Sequence, residues 1–301
     1  MALPDIATTM IGIFAAILAG LFGISLFLDV RAEGNWLPSV NNLAKRQFEM
    51  YAVAYSVVWI CAFGYVVAFG VWRQFDEWCY LTFCVSLALP FLLQPLLWPL
   101  PAEKCLPLYC RYSAKANVWL AIFSFIGNYW YTHYFYSVLK AKYTMPAHRL
   151  NDVPIALYFA THFYFVFYHT MSNMILRKIE TRYAPSCVRT LFFWAVIVAF
   201  SYFTAFMETL TISNYEDYSF EDIDMAYKVG SFFYGLYFIV SYPVYFRLDE
   251  ESPNTKPHTM YQTVLEAFGA SMMVLCLLDF GRLFQGTSLT ISGVWFRLYQ
   301  K

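Results

Sequence analysis

The chain has 301 residues, of which 60% are hydrophobic and 13% charged, and its formal net charge is zero. Soluble domains carry about a quarter charged residues, so this composition excludes an ordinary soluble domain, and the balanced charge excludes a basic nucleic-acid-binding surface. A mean hydropathy of +0.48, in runs of roughly twenty apolar residues between short charged connectors, predicts an all-α, polytopic transmembrane helical bundle.

About eight spans follow in chain order: Thr9 to Leu28, Tyr51 to Trp72, Trp78 to Leu100, Val118 to Leu139, Val153 to Leu176, Leu191 to Ser213, Val229 to Phe246 and Tyr261 to Leu283. Each is near the length that crosses a hydrocarbon core as a helix, and none alternates as a barrel strand would. The first lacks a basic leader, follows Asp5 and is long for a signal sequence, so it reads as a retained anchor. Pro90 and Pro95 predict a kink or break in the third.

Lys and Arg in the connectors set orientation. One side collects Arg31, Lys45, Arg46, Lys104, Arg111, Lys115, Arg177, Lys178, Arg182, Arg189, Arg247 and Lys256, twelve against eight on the other, and is expected to face the cytosol with the amino terminus in the lumen. The connector Asn214 to Tyr227 is acidic, with no Lys or Arg. Seven cysteines, an odd number with no C-x-x-C pair, read as free thiols.

Polar side chains inside the spans are the functional signal, because hydrocarbon penalises them unless they find partners. The fourth span carries Asn128, Thr132 and His133 among six aromatic residues in Gly127 to Tyr136. In the fifth, His162, His169 and Asn173 fall on one helical stripe, and in the sixth, Ser201, Thr204 and Glu208 share a face. The plain readings are that Ser and Thr bond back to their own helix, that Asn128 and Asn173 tie helices together, that His133 is interfacial, and that Asp279 and Arg282 form a local ion pair. Glu208 is harder to assign to packing. A carboxyl in so dry a place favours its neutral, proton-carrying form. Histidine gives or takes protons, and aromatic faces stabilise a transient cation by about 2 kcal/mol or more each when desolvated. Acid, base and aromatic lining together suit carbocation chemistry on an apolar substrate. The five histidines form no H-x-x-H or H-x-x-x-H box, so no metal site is expected. No phosphate loop or nucleophile elbow is present, so no cofactor is expected.

From about Lys45 to Gly286 the chain resembles the cycloeucalenol cycloisomerase family of sterol cyclopropyl isomerases. The resemblance is carried by FSFIGNYWYTHYF (Phe123 to Phe135), NDVP (Asn151 to Pro154), Thr161-His162, Phe167-Tyr168-His169 with Ser172-Asn173 and Arg177, SYFTAFMET (Ser201 to Thr209), VGSFFYGLYFIVSYP and FRLDE within Tyr227 to Glu250, and LLDFGRLF (Leu277 to Phe284). It implies cofactor-free opening of the 9β,19-cyclopropane ring of a 4α-methyl sterol, cycloeucalenol to obtusifoliol, by a multi-pass protein of the endoplasmic reticulum membrane. A proton goes to C19, positive charge develops at C9, and loss of the C8 proton leaves a double bond. The family pattern does not say which residue is the acid.

The expected division is an N-terminal extension with an extra anchor at 1–43, the isomerase domain at 44–286 and a short tail at 287–301. The expected catalytic residues are Glu208, as proton donor, with His162 or His169 as its partner or as the acceptor of the second proton. Asn128, His133, Asn173, Tyr202, Tyr234 and Tyr237 are expected to bind sterol in a pocket between the fourth, fifth, sixth and seventh spans. The partners are the sterol and membrane lipid; the oligomeric state is left open. A sterol-binding transporter or sensor without chemistry is the alternative.

Overall fold

A computed structural model describes residues 3–212, 216–221, 226–251, 256–291 and 293–299. Ser213, the expected end of the sixth span, lies outside them, as do Asn214, Asp222 and Asp224 of the acidic connector and Lys301 of the tail.

All eight expected segments are helical. They are α1 (Leu3–Ser25), α2 (Leu43–Ala68), α3 (Glu77–Leu97), α4 (Tyr112–Ile126), continued through a π-helical turn (Gly127–Tyr131) into α5 (Thr132–Val138), then α6 (Ile155–Arg182), α7 (Cys187–Ile212), α8 (Ser231–Phe246), preceded by a second π-helical turn (Ala226–Gly230), and α9 (Met260–Phe284). Five of the helices, α1, α2, α3, α7 and α9, are long and apolar enough to cross a membrane, among the described residues.

Local chemistry explains the helix ends. The Asp76 carboxylate accepts from the backbone N–H groups of Trp78 and Cys79 and starts α3. Thr259 and Gln262 form a capping box at the start of α9. Of the kink or break expected at the third-span prolines, the break does not occur, since α3 runs through both Pro90 and Pro95. Tyr51 donates to the Pro90 carbonyl at 2.8 Å and Tyr55 to that of Leu87 at 3.0 Å, and Arg111 donates to the Pro95 carbonyl. These bonds tie α3 to its neighbours in the stretch where each proline removes a backbone donor.

The central helix is α6, which packs against α2, α3, α4, α7 and α8, while α9 packs against α4 and α8. Fully buried Trp119, Phe123, Phe163, Phe165, Phe238 and Tyr245 fill the space around it. Helix α1 lies outside, resting on α7 through Phe14, whose ring meets those of Tyr202, Phe203 and Phe206. Ile11, Leu18 and Phe22 of α1 are exposed.

The two ends of the bundle differ. At one, buried Arg177 forks onto Glu49 and Glu250 with N–O distances of 2.7 to 2.8 Å, and fully buried Lys45 meets Glu250 at 2.9 Å and the carbonyls of Phe246 and Leu248. This neutralisation lets α2 begin one turn and more before the apolar run, at Leu43, and lets α6 continue past Leu176 to Arg182. At the other end short strands close the connectors. The strand β1 (Lys142–Tyr143) pairs antiparallel with β4 (Tyr218–Ser219), Tyr143 opposite Tyr218, and β2 (Arg149–Leu150) pairs with both β3 (Val153–Pro154) and β5 (Phe296–Arg297) of the tail. The expected local ion pair is present, with Arg282 on Asp279 at 2.7 Å.

Candidate active site

A cavity of about 740 Å³ opens inside the bundle toward the strand-closed end, within the size range of small-molecule sites. Helix α6 offers it one stripe, Leu157, Thr161, Tyr164 and Tyr168, spaced by four, three and four residues. Facing that stripe are Trp59 and Phe63 of α2, Asn128, Thr132 and Phe135 around the first π turn, Glu208 of α7, and Tyr234 and Tyr237 of α8. Both π turns contribute to the wall, through Gly127 and Asn128 and through Ala226 and Gly230. Such turns widen a helix locally and recur at functional sites.

Glu208 is the one carboxyl on this wall, and among the described residues no imidazole, ammonium or guanidinium lines it. The Tyr234 hydroxyl donates to Glu208 Oε2 at 2.8 Å, and Tyr168 bonds to the same carboxyl. The residue as a whole is half-buried because its inner side faces the cavity. Tyr234 is held in turn by edge-on contacts with Tyr237 at 4.7 Å and Phe135 at 5.5 Å, and Tyr237 meets Tyr131 at 4.7 Å. Such pairs fix ring orientation as well as adding stability. Across the strand-closed end Tyr143 and Tyr218 stack at 4.5 Å. Burial pushes the Tyr143 phenol well up, with Tyr218 adding to the effect, so it stays a neutral hydrogen-bonding group.

At the other wall Asn128 Nδ2 donates to Thr161 Oγ1 at 2.8 Å and to the Ser124 carbonyl at 2.9 Å. The cavity therefore offers a carboxyl with two phenols, a separate amide–hydroxyl pair, and aromatic faces between them.

Four of the nine expected residues, Glu208, Asn128, Tyr234 and Tyr237, are thus brought together. The other five are not. His169 lies in the packed core, its Nδ1 donating to the Phe165 carbonyl at 2.8 Å, which leaves Nε2 to accept from the Ser241 hydroxyl at 2.9 Å. Its ring is walled by Trp119, Phe123, Tyr242 and Tyr245. His162 Nε2 faces Asn117 Oδ1 at 3.0 Å between α4 and α6. Asn173 donates to Glu49 at 3.1 Å and belongs to the buried ion network. His133 is buried edge-on against Tyr136 and does not line the cavity. Tyr202 turns outward to Phe14 and Met10 of α1.

The expectation that an imidazole partners Glu208 is therefore corrected, and the reason is angular. Consecutive residues on a helix point about 100° apart, so the His162–His169–Asn173 stripe faces the core while the neighbouring Thr161–Tyr164–Tyr168 stripe faces the cavity. That second stripe, with Tyr143 and Tyr218 from the connectors, was missed. A tyrosine-bearing stripe at helical spacing was the available signal for the first. Nothing in the sequence pairs Tyr143 with Tyr218.

No family model matches the chain, and no solved structure matches it. The chain is 40% identical over 248 residues to the cycloeucalenol cycloisomerase of Arabidopsis thaliana, an alignment that covers 81% of this chain and 88% of that relative.

Proposed function

Because the chain belongs to the cycloeucalenol cycloisomerase family and is an isomerase, we propose that its cavity takes a 4α-methyl 9β,19-cyclopropyl sterol and opens the three-membered ring, converting cycloeucalenol to obtusifoliol. The observation that carries this reading is the solitary Glu208 carboxyl, held by two phenols in an aromatic cavity. With no cation on the described wall to pair with a carboxylate, the group carries its proton in the resting site. It delivers that proton to C19 as the C9–C19 bond breaks. The phenols of Tyr234 and Tyr168 then hydrogen-bond the carboxylate left behind, a stronger bond than either makes to the acid. Charge at C9 is met by the ring faces of Tyr234, Tyr237 and Trp59, and loss of the C8 proton completes the 8(9) double bond. The Asn128 amide oxygen serves the sterol 3-hydroxyl as its acceptor, since both Asn128 N–H groups are taken by Thr161 and the Ser124 carbonyl and the Thr161 hydroxyl is donated to the Leu157 carbonyl.

In this reading α4–α5, α6 and α8 join the other five helices as spans, for eight in all. The helices α4 and α8 are short, at 15 and 16 residues, and are each extended by a π turn, while α6 is less apolar because its polar groups face a cavity and an ion network instead of lipid. The protein sits in the endoplasmic reticulum membrane among its lipids, with the Lys45–Arg177 end toward the cytosol. A carrier without chemistry is not favoured, since the relative is an isomerase. Membranes containing the full chain, incubated with a 9β,19-cyclosterol, are expected to lose the cyclopropane signal. Sterol binding without that loss would refute the assignment.

A further inference from the structure

Resting on the reading of the cavity just given, we infer that Glu208 performs both proton transfers, donating to C19 and then, as the carboxylate it has become, taking the proton from C8. The geometry points to this because the described cavity wall holds no second base. Besides Glu208, the side chains there that can lose a proton are Cys84 and the phenols of Tyr80, Tyr143, Tyr164, Tyr168, Tyr218, Tyr234 and Tyr237. A phenol near neutral pH is already protonated and is a poor acceptor for a carbon-bound proton. The Asp217 carboxyl is off the wall and receives the Tyr80 hydroxyl at 3.1 Å. His169 is excluded by its ring packing and its two partners, and His162, which faces Asn117, does not line the cavity.

Substrate stereochemistry permits one group to serve twice. In a 9β,19-cyclosterol the C19 methylene and the C8 hydrogen lie on the same face, on adjoining centres. The Glu208 O–H bond breaks as C19–H forms, and the C9–C19 electron pair becomes that new bond. The C8–H pair then becomes the C8=C9 π bond while the proton returns to the carboxylate. The enzyme ends as it began, so turnover needs no net proton from water and no second titrating group. Tyr168 and Tyr234 follow the carboxyl through the cycle by donating hydrogen bonds in its charged interval.

The test uses membranes holding the full chain, with Cys84→Ala and a Tyr→Phe substitution at each lining tyrosine, and product analysis by double-bond position. A C9 cation deprived of its base loses a proton from C11 or captures water. If Glu208 serves twice, every variant that binds sterol, whatever its rate, releases the 8(9)-alkene alone. A variant that binds sterol and releases the 9(11)-alkene or a 9-hydroxy sterol, or that stops turnover altogether at Cys84 or at a tyrosine other than Tyr168 and Tyr234, identifies a separate base and overturns the inference. For any variant that fails to fold, the parent protein supplies the second measurement. Its kcat/KM should show one limb, falling with rising pH, whereas a bell-shaped profile means two titrating groups and overturns the inference. Failure of the parent to open the ring would instead reject the proposed reaction itself.

Discussion

Tyr234 and Glu208 are 26 positions apart in the chain, yet the phenol of one donates to the carboxyl of the other at 2.8 Å. Hydrogen bonds to charged groups contribute about 1.5–3 kcal/mol, and this one strengthens only after the proton has left Glu208. Tyr234→Phe is therefore expected to lower kcat about tenfold or more with little change in KM. Glu208→Gln removes the acid and is expected to lower ring opening by about 10²-fold or more while sterol still binds. Steady-state assays of solubilised membranes with a cyclopropyl sterol measure both, and normal turnover by folded Glu208→Gln would eliminate the carboxyl from the chemistry.

The buried histidines should report on stability and leave the chemistry alone. His169→Ala removes a ring packed among Trp119, Phe123, Tyr242 and Tyr245 and orphans the Ser241 hydroxyl. A loss of about 2–4 kcal/mol is expected from the cavity and the broken bond, seen as a lower unfolding temperature in detergent. Turnover per folded molecule should stay near the parent value. A fully stable His169→Ala protein without activity would return the imidazole to the mechanism.

Arg177 is held by two carboxylates and by the Trp36 carbonyl at 2.8 Å. Removing one member of a buried ion cluster leaves an uncompensated charge and costs about 3–5 kcal/mol. Arg177→Lys should be nearly as harmful as Arg177→Met, because an ammonium cannot fork onto Glu49 and Glu250 together. Comparing the folded yields and unfolding temperatures of the two variants checks this.

The pH dependence of stability should centre on the loop after α8. Burial opposes charge on Asp249, but hydrogen bonds from His258 and Lys115 outweigh it and hold the carboxyl below its usual range. The bond to Asp249 raises His258, against burial and with help from Glu266. A raised histidine stabilises the fold fully below its ordinary value of about 6.5, and that contribution is lost as pH rises through its folded value. A lowered aspartate contributes above its ordinary value of about 3.9 and is lost as pH falls through its folded one. Unfolding temperature should therefore peak between these limits. The alkaline decline should shrink in His258→Gln, and a parent profile that is flat on the alkaline side would contradict the assignment.

The length and spacing of the apolar runs determined where helices form, because each run must satisfy its backbone within itself. The expected and observed elements agree to within a turn or so at most ends. The larger differences, as at Leu43 and Arg182, come from charges paired with residues remote in the chain. Glu208 could be singled out from sequence because an isolated carboxyl in an apolar run has no local explanation. Which neighbours it meets could not. Periodicity states that His162 and His169 share a stripe, but it does not say whether that stripe turns toward a cavity or toward packed rings. A rotation of one residue about the α6 axis separates Thr161 and Tyr168 from His162 and His169, and that rotation is set by how α4, α7 and α8 pack around α6. Tertiary packing alone therefore decided that phenols, not imidazoles, flank the acid.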